Sequence, residues 1–231
     1  MTSTSEWIVG SLKFTNSEAL GVTSSPTGEI YAVAGQCIYE IDETLRYFKI
    51  YAGGGRDNLS EGPRLQVTFS SPHGIGLTPR NEPLVACTGC HCVYIISKDQ
   101  VKRFAGTSKG WKDGPALEAQ FDSPQRIVEL NGNYYIPDCW NHCVRIISAS
   151  GMVSTIGTRS TSYLAGSFDV CSIPYTRGLG VGRGNTLVVC SSGPHKVSLL
   201  DLDEKEMIPI AGNEVKAFED GPAKIAKFNF P

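Results

Sequence analysis

The chain has 231 residues, 21 basic and 23 acidic, for a formal net charge of −2. That balance argues against a whole-surface nucleic-acid binder, whose domain is normally basic, and no apolar run approaches the ~18 residues of a transmembrane helix. Its 25 glycines and 13 prolines punctuate short apolar runs, the composition of many short strands joined by turns. At the amino end, MTSTSEWIVG has neither a basic start nor an apolar h-region, so it does not read as a secretory signal. Eight cysteines in an unsecreted chain then read as thiols, and the expected location is cytoplasmic.

The chain repeats itself. Phe14-Thr15-Asn16-Ser17, Phe69-Ser70-Ser71-Pro72, Phe121-Asp122-Ser123-Pro124, Cys171-Ser172-Ile173-Pro174 and Phe228-Asn229-Phe230-Pro231 recur at intervals of 55, 52, 50 and 57. Each unit closes on a residue pair ending in glycine: Ala52-Gly53, Ala105-Gly106, Ile156-Gly157 and Ala211-Gly212. An acidic-Gly-Pro triplet follows in three cases, at Glu61, Asp113 and Asp220. A period near ~50 residues means stacked supersecondary units. In the third unit, Arg126–Leu130, Tyr134–Pro137, Cys143–Ser148 and Met152–Ile156 are rich in Val, Ile and Tyr and separated by turn residues. Four antiparallel strands per ~50 residues predict a propeller blade. The expected units are 14–68, 69–120, 121–170 and 171–227, with 228–231 opening a further one, all in a single domain over 1–231. Trp7-Ile8-Val9-Gly10 reads as the end of a fourth strand, like Ser154-Thr155-Ile156-Gly157.

Ala105-Gly106, Gly110-Trp111, Asp113-Gly114-Pro115, Ala119, Phe121 and Pro124, followed by Tyr135, Asp138, Asn141-His142, Val144-Arg145 and Ile147, resemble the repeat of the NHL β-propellers. The resemblance implies an all-β, NHL-type β-propeller of four-stranded antiparallel blades, with four blades in this chain. Such propellers usually have six blades, so the expectation is part of a six-bladed propeller or an open arc, rather than four blades closed on themselves.

In a four-stranded meander the start of the first strand, the turn between the second and third, and the end of the fourth share one face. That face gathers His73, Trp111, Lys112, Arg126, Trp140 and Arg177, the candidate partner-binding residues. Loops on a rigid scaffold commonly carry function, and Trp and Arg are enriched at binding hot spots. His91, His142 and His195 fall at one repeat register and, with Asn141, read as structural turn residues; Asp138 reads as an Asx-type cap. Cys87-Thr88-Gly89-Cys90-His91 matches the C-x-x-C-H haem pattern, but it aligns with Asp138–His142 of the next unit and reads as a blade turn. Cys87, Cys90 and Cys92 with His91 sit on a largely extended segment whose successive side chains diverge, a poor start for tetrahedral zinc. Cys37, Cys92 and Cys143 share a repeat position and are expected to be buried.

Some propellers of this kind are zinc lyases, with channel histidines from several blades. The channel place after the blade-opening proline reads here as His73, Gln125 and Tyr175, and one histidine does not supply three ligands. No catalytic residue, metal or cofactor is therefore expected. The expected function is a non-catalytic protein-interaction scaffold or assembly subunit, without a membrane partner. The alternatives are a single-stranded RNA-binding propeller, against which the mixed charge of the face argues, and a metal-dependent propeller lyase or hydrolase.

Overall fold

The computed structural model describes residues 8–9, 19–44, 46–55 and 60–231. The first repeat marker, Phe14, and the flanking Trp7 and Gly10 lie outside the described residues. Four antiparallel sheets follow one another along the chain. Blade one holds β1 (Ile8–Val9), β2 (Ala19–Ser24), β3 (Ile30–Ala34), β4 (Cys37–Ile41) and β5 (Tyr47–Gly53). Blade two holds β6 (Gly62–Pro63), β7 (Pro72–Leu77), β8 (Pro83–Cys87), β9 (Cys92–Ser97) and β10 (Gln100–Ala105). Blade three holds β11 (Gly114–Pro115), β12 (Val128–Leu130), β13 (Asn133–Asp138), β14 (Cys143–Ile147) and β15 (Met152–Ile156). Blade four holds β16 (Gly166–Ser167), β17 (Thr176–Val181), β18 (Thr186–Ser191), β19 (Lys196–Asp201) and β20 (Glu206–Ala211).

Each blade is the expected four-stranded meander with one addition. A two-residue strand from the preceding loop pairs along the outermost strand, as Gly114–Pro115 does with Val153 and Met152. The acidic-Gly-Pro triplets at Glu61 and Asp113 therefore belong to the outer edge of the blade that follows them. Ile8–Val9 take the same outer place, opposite Phe48 and Tyr47. This corrects their reading as the end of a fourth strand.

Burial explains the strand composition. β8 is buried along its whole length because a neighbouring blade covers each face, so it reads PLVAC without alternation. β15 at the periphery alternates, with Met152 and Ser154 exposed and Val153 and Ile156 buried. Three apolar clusters fill the spaces between successive blades. Phe69 anchors the first and Phe121 the second, both essentially without solvent exposure. Burying such a ring contributes roughly 1.5–3 kcal/mol.

The inner strands β2, β7, β12 and β17 surround a common channel, and their residues together line a cavity of about 440 Å³ at one mouth. β2 and β3 pack on β7, β7 packs on β12, and β12 and β13 pack on β17. Among the described residues no comparable contact joins blade four to blade one. Blade four leaves Ile208 and Ile210 exposed, and the segment after it leaves Phe218 and Ile225 exposed.

Candidate functional site: the loop face and the channel mouth

The register of the fourth inner strand decides which side chains face the channel. Matching bulges place Gly21 opposite Val33, Gly74 opposite Ala86 and Gly178 opposite Cys190. Pro72 opposite Cys87, Pro124 opposite Asp138 and Thr176 opposite Ser191 then share one place. Thr176, not Pro174, opens the fourth blade. The buried place of Phe69 and Phe121 falls to Ile173, equally buried. The channel place accordingly holds Leu20, His73, Gln125 and Arg177; Tyr175 is displaced from it by two residues.

The turn histidines bridge successive blades. The Nδ1 atom of His91 accepts the backbone N–H of Ser123 at 3.1 Å, that of His142 accepts Tyr175 N–H at 3.3 Å, and that of His195 accepts Phe230 N–H at 3.1 Å. All three histidines have left-handed backbone, with φ of 56°, 59° and 57°. Burial, then the positive charge of Arg159, holds the His142 ring below the usual histidine range, against the pull of Asp122. Phe230 and Pro231 pack back on blade four, where Ser192 Oγ donates to the Pro231 carbonyl at 2.9 Å.

Blade three carries a buried charged network. Arg145 is fully buried and donates to Asp138 at 2.9 Å, the Gln120 carbonyl at 2.7 Å, the Lys112 carbonyl at 2.8 Å and Asp113 at 2.6 Å. Its guanidinium lies 4.8 Å from the Phe121 ring centre. Asp138 accepts the Asp122 N–H at 2.6 Å and the Asn141 amide at 2.8 Å. It is thus no local cap: it reaches across to the loop that precedes the blade. Burial pushes its carboxyl up, and the Asn141 and Arg145 donors oppose that. The 3₁₀ turn Cys139–Asn141 and the Asn141 bond to the Gly110 carbonyl, 2.8 Å, complete the tie. This network fixes the loop from Gly110 to Asp122 against the blade.

That loop presents Trp111, 45% exposed, and the adjacent turn presents Trp140, 53% exposed. The Arg159 guanidinium stands 5.4 Å from the Trp111 ring centre, and Trp140 meets Tyr175 edge to face at 5.6 Å. Lys112 is exposed and paired with Glu118 at 3.4 Å. His73, Arg126 and Arg177 come together at the channel mouth, where with Tyr175, Ser192 and Phe230 they line a cavity of about 510 Å³. Burial first, then Arg177 and Arg126, keeps the His73 ring below the usual histidine range. The six candidate partner-binding residues thus form two groups: the tryptophans with Lys112, and the channel trio.

The cysteines of blade two form a sulfur cluster. Cys90 and Cys92 sulfurs are 2.9 Å apart, and hydrogen bonding to Cys87 and then Cys92 draws the Cys90 thiol down to about 3. His91 turns away from the sulfurs to bond the next blade. Among the described residues no group of three His, Cys, Asp or Glu side chains is arranged around a common metal position. Cys92 and Cys143 are fully buried, whereas Cys37 at the same strand position is only half-buried, a correction to the expected set of three. Sequence reading assigned no role to Arg145; its signal was a lone charge in the apolar run Cys143–Ile147.

No protein-family model matches the chain. Among curated proteins it is 31% identical over 137 residues to NHL repeat-containing protein 2 of Bos taurus, covering 53% of this chain and 19% of that protein. It is 30% identical over 138 residues to NHL repeat-containing protein 2 of Homo sapiens, covering 54% and 19%. The matched stretch therefore spans about a fifth of the length of these relatives. Among solved structures, a protein of unknown function from Bacteroides thetaiotaomicron superposes with a TM-score of 0.69 at 14% identity, covering 91% of this chain and 52% of that one. A streptogramin B lyase superposes with a TM-score of 0.58 at 13% identity, covering 89% and 58%. At such identities these two likenesses concern the fold alone.

Proposed function

Taking as premise that this chain belongs to the NHL-type β-propellers, we propose that it is a non-catalytic interaction scaffold, binding protein partners through the loop face of blade three. One observation carries this reading. Two tryptophans, Trp111 and Trp140, stand about half exposed on loops that a buried ion-pair network holds in place. Large aromatic side chains contribute most when they are pre-positioned, because little rotamer freedom is then lost on binding. The loop itself is also pre-ordered, through the Arg145 bonds to Lys112 and Asp113. Loop faces of rigid all-β scaffolds commonly serve as recognition surfaces.

The test is a tagged pull-down from native lysate, with and without nuclease, comparing wild type with the Trp111→Ala/Trp140→Ala double variant. Nuclease-resistant protein partners should be captured by wild type and lost from the variant, whose thermal midpoint should stay within a few degrees because both side chains are exposed. Undiminished capture by the variant would move the interface elsewhere. Partners lost with nuclease would favour the RNA-binding alternative.

A further inference from the structure

We propose that the channel mouth bounded by His73, Arg126 and Arg177 is a binding site for a small organic phosphate. Three nitrogen-bearing side chains from three successive blades converge on one cavity, and no acidic side chain lines it among the described residues. Three arginines elsewhere are matched, Arg64 with Asp99, Arg103 with Glu61, and Arg145 with Asp113 and Asp138. Among the described residues neither Arg126 nor Arg177 has a carboxylate within ion-pair reach, and both are exposed. Arg177 touches the thiol of Cys139, a group that burial keeps neutral. In a chain of net charge −2, this is a local reversal of sign.

The fold makes room for it at one joint. The place of Arg126 is glycine in the other three blades: Gly21, Gly74 and Gly178. A Cβ at Gly21 would lie 2.8 Å from the His73 carbonyl, and one at Gly74 only 1.9 Å from the Gln125 carbonyl, so the inner strands approach backbone to backbone there. Between blades three and four an arginine stands in that place. Pro137 contributes. Its carbonyl accepts the Gln125 N–H, so the missing proline N–H is on the same side, facing the inner strand. With that ladder bond gone, regular pairing of the inner strand begins only at Val128, and Arg126 is free of the sheet.

The ligand class follows from the chemistry. Guanidinium groups pair with oxyanions through parallel N–H bonds, and two of them beside an imidazole suit a dianionic phosphate better than a monoanionic carboxylate. Tyr175 and Phe230 add aromatic walls, and about 510 Å³ falls in the range of small-molecule pockets. The inference does not rest on the scaffold reading, since Trp111 and Trp140 are outside the cavity lining.

The experiment titrates the full chain, isotope-labelled for NMR, with phenyl phosphate, inorganic phosphate, benzoate and a short single-stranded RNA. Phenyl phosphate should saturate shifts at His73, Arg126 and Arg177, at least about tenfold tighter than benzoate. Arg126→Gln and Arg177→Gln should each weaken it by about tenfold or more with an unchanged thermal midpoint. The His73 ring, followed in wild type, should titrate at higher pH with phenyl phosphate bound, which needs no variant to fold. No saturation below about 10 mM, equal binding of benzoate, saturation by the RNA alone, undiminished binding in both arginine variants, or an unmoved His73 titration would each overturn the proposal.

Discussion

A ring nitrogen that accepts a backbone N–H must be unprotonated. His142 meets that condition at the joint between blades three and four, where its Nδ1 receives the Tyr175 N–H and its ring packs 4.6 Å from the Tyr175 ring. Its folded-state affinity for a proton lies below the unfolded value, chiefly through burial. Below the usual histidine range the unfolded chain therefore holds more protons than the folded one, and stability falls as pH falls. The contribution is complete above the unfolded pKa and is lost as pH drops toward the lower folded value. Urea denaturation at pH 7.5 and 5.5 should show this loss, and His142→Gln should flatten it; an equal slope in the variant would assign the acid sensitivity to other groups. The repeat register of these histidines was plain in the sequence, and so was their turn position. Their direction was not, because a ring bond to the next blade depends on how blades stack.

Elements pack here through glycine where backbones meet. Gly74 on β7 faces the Gln125 carbonyl, and a methyl group there has nowhere to go. Gly74→Ala should destabilise by about 3 kcal/mol, near the upper end for overpacking, read from the shift in denaturation midpoint at constant m-value. A change under ~0.5 kcal/mol would mean that the inner strands separate easily. The same scale shows what was legible. Strands of blade three were readable from Val, Ile and Tyr between turns, and they lie within a few residues of the observed β12 to β15. The two-residue outer strands were not, because Gly62–Pro63 and Gly114–Pro115 carry no apolar alternation. The fourth inner strand was misplaced by two residues because Pro174 looked like the repeat proline. The core selects by volume instead, and Ile173 fills the pocket that phenylalanine fills in Phe69 and Phe121. The channel group was recoverable once that register was set, since Arg177 then falls level with His73.

At the scale of the whole molecule, each blade touches its sequence neighbours, as repeat architectures do. Leu187, fully buried in β18, tests how far stability is shared. Leu187→Ala should cost about 2–5 kcal/mol locally. Amide exchange should quicken through β17 to β20 while protection at Val33 and Val85 persists; uniform loss would make the four blades one cooperative unit. The order of pieces along the chain has a further consequence. Blades two to four each begin with an outer two-residue strand and are complete in strands by their closing glycine, yet the turn histidine of each waits for a backbone N–H supplied by the start of the next repeat. During synthesis the blades would thus be latched one after another, each as the ribosome delivers the opening residues of its successor. A chain that has emerged from the ribosome only as far as Phe121 would hold blade two formed but unlatched, and the emergence of Ser123 would lock it.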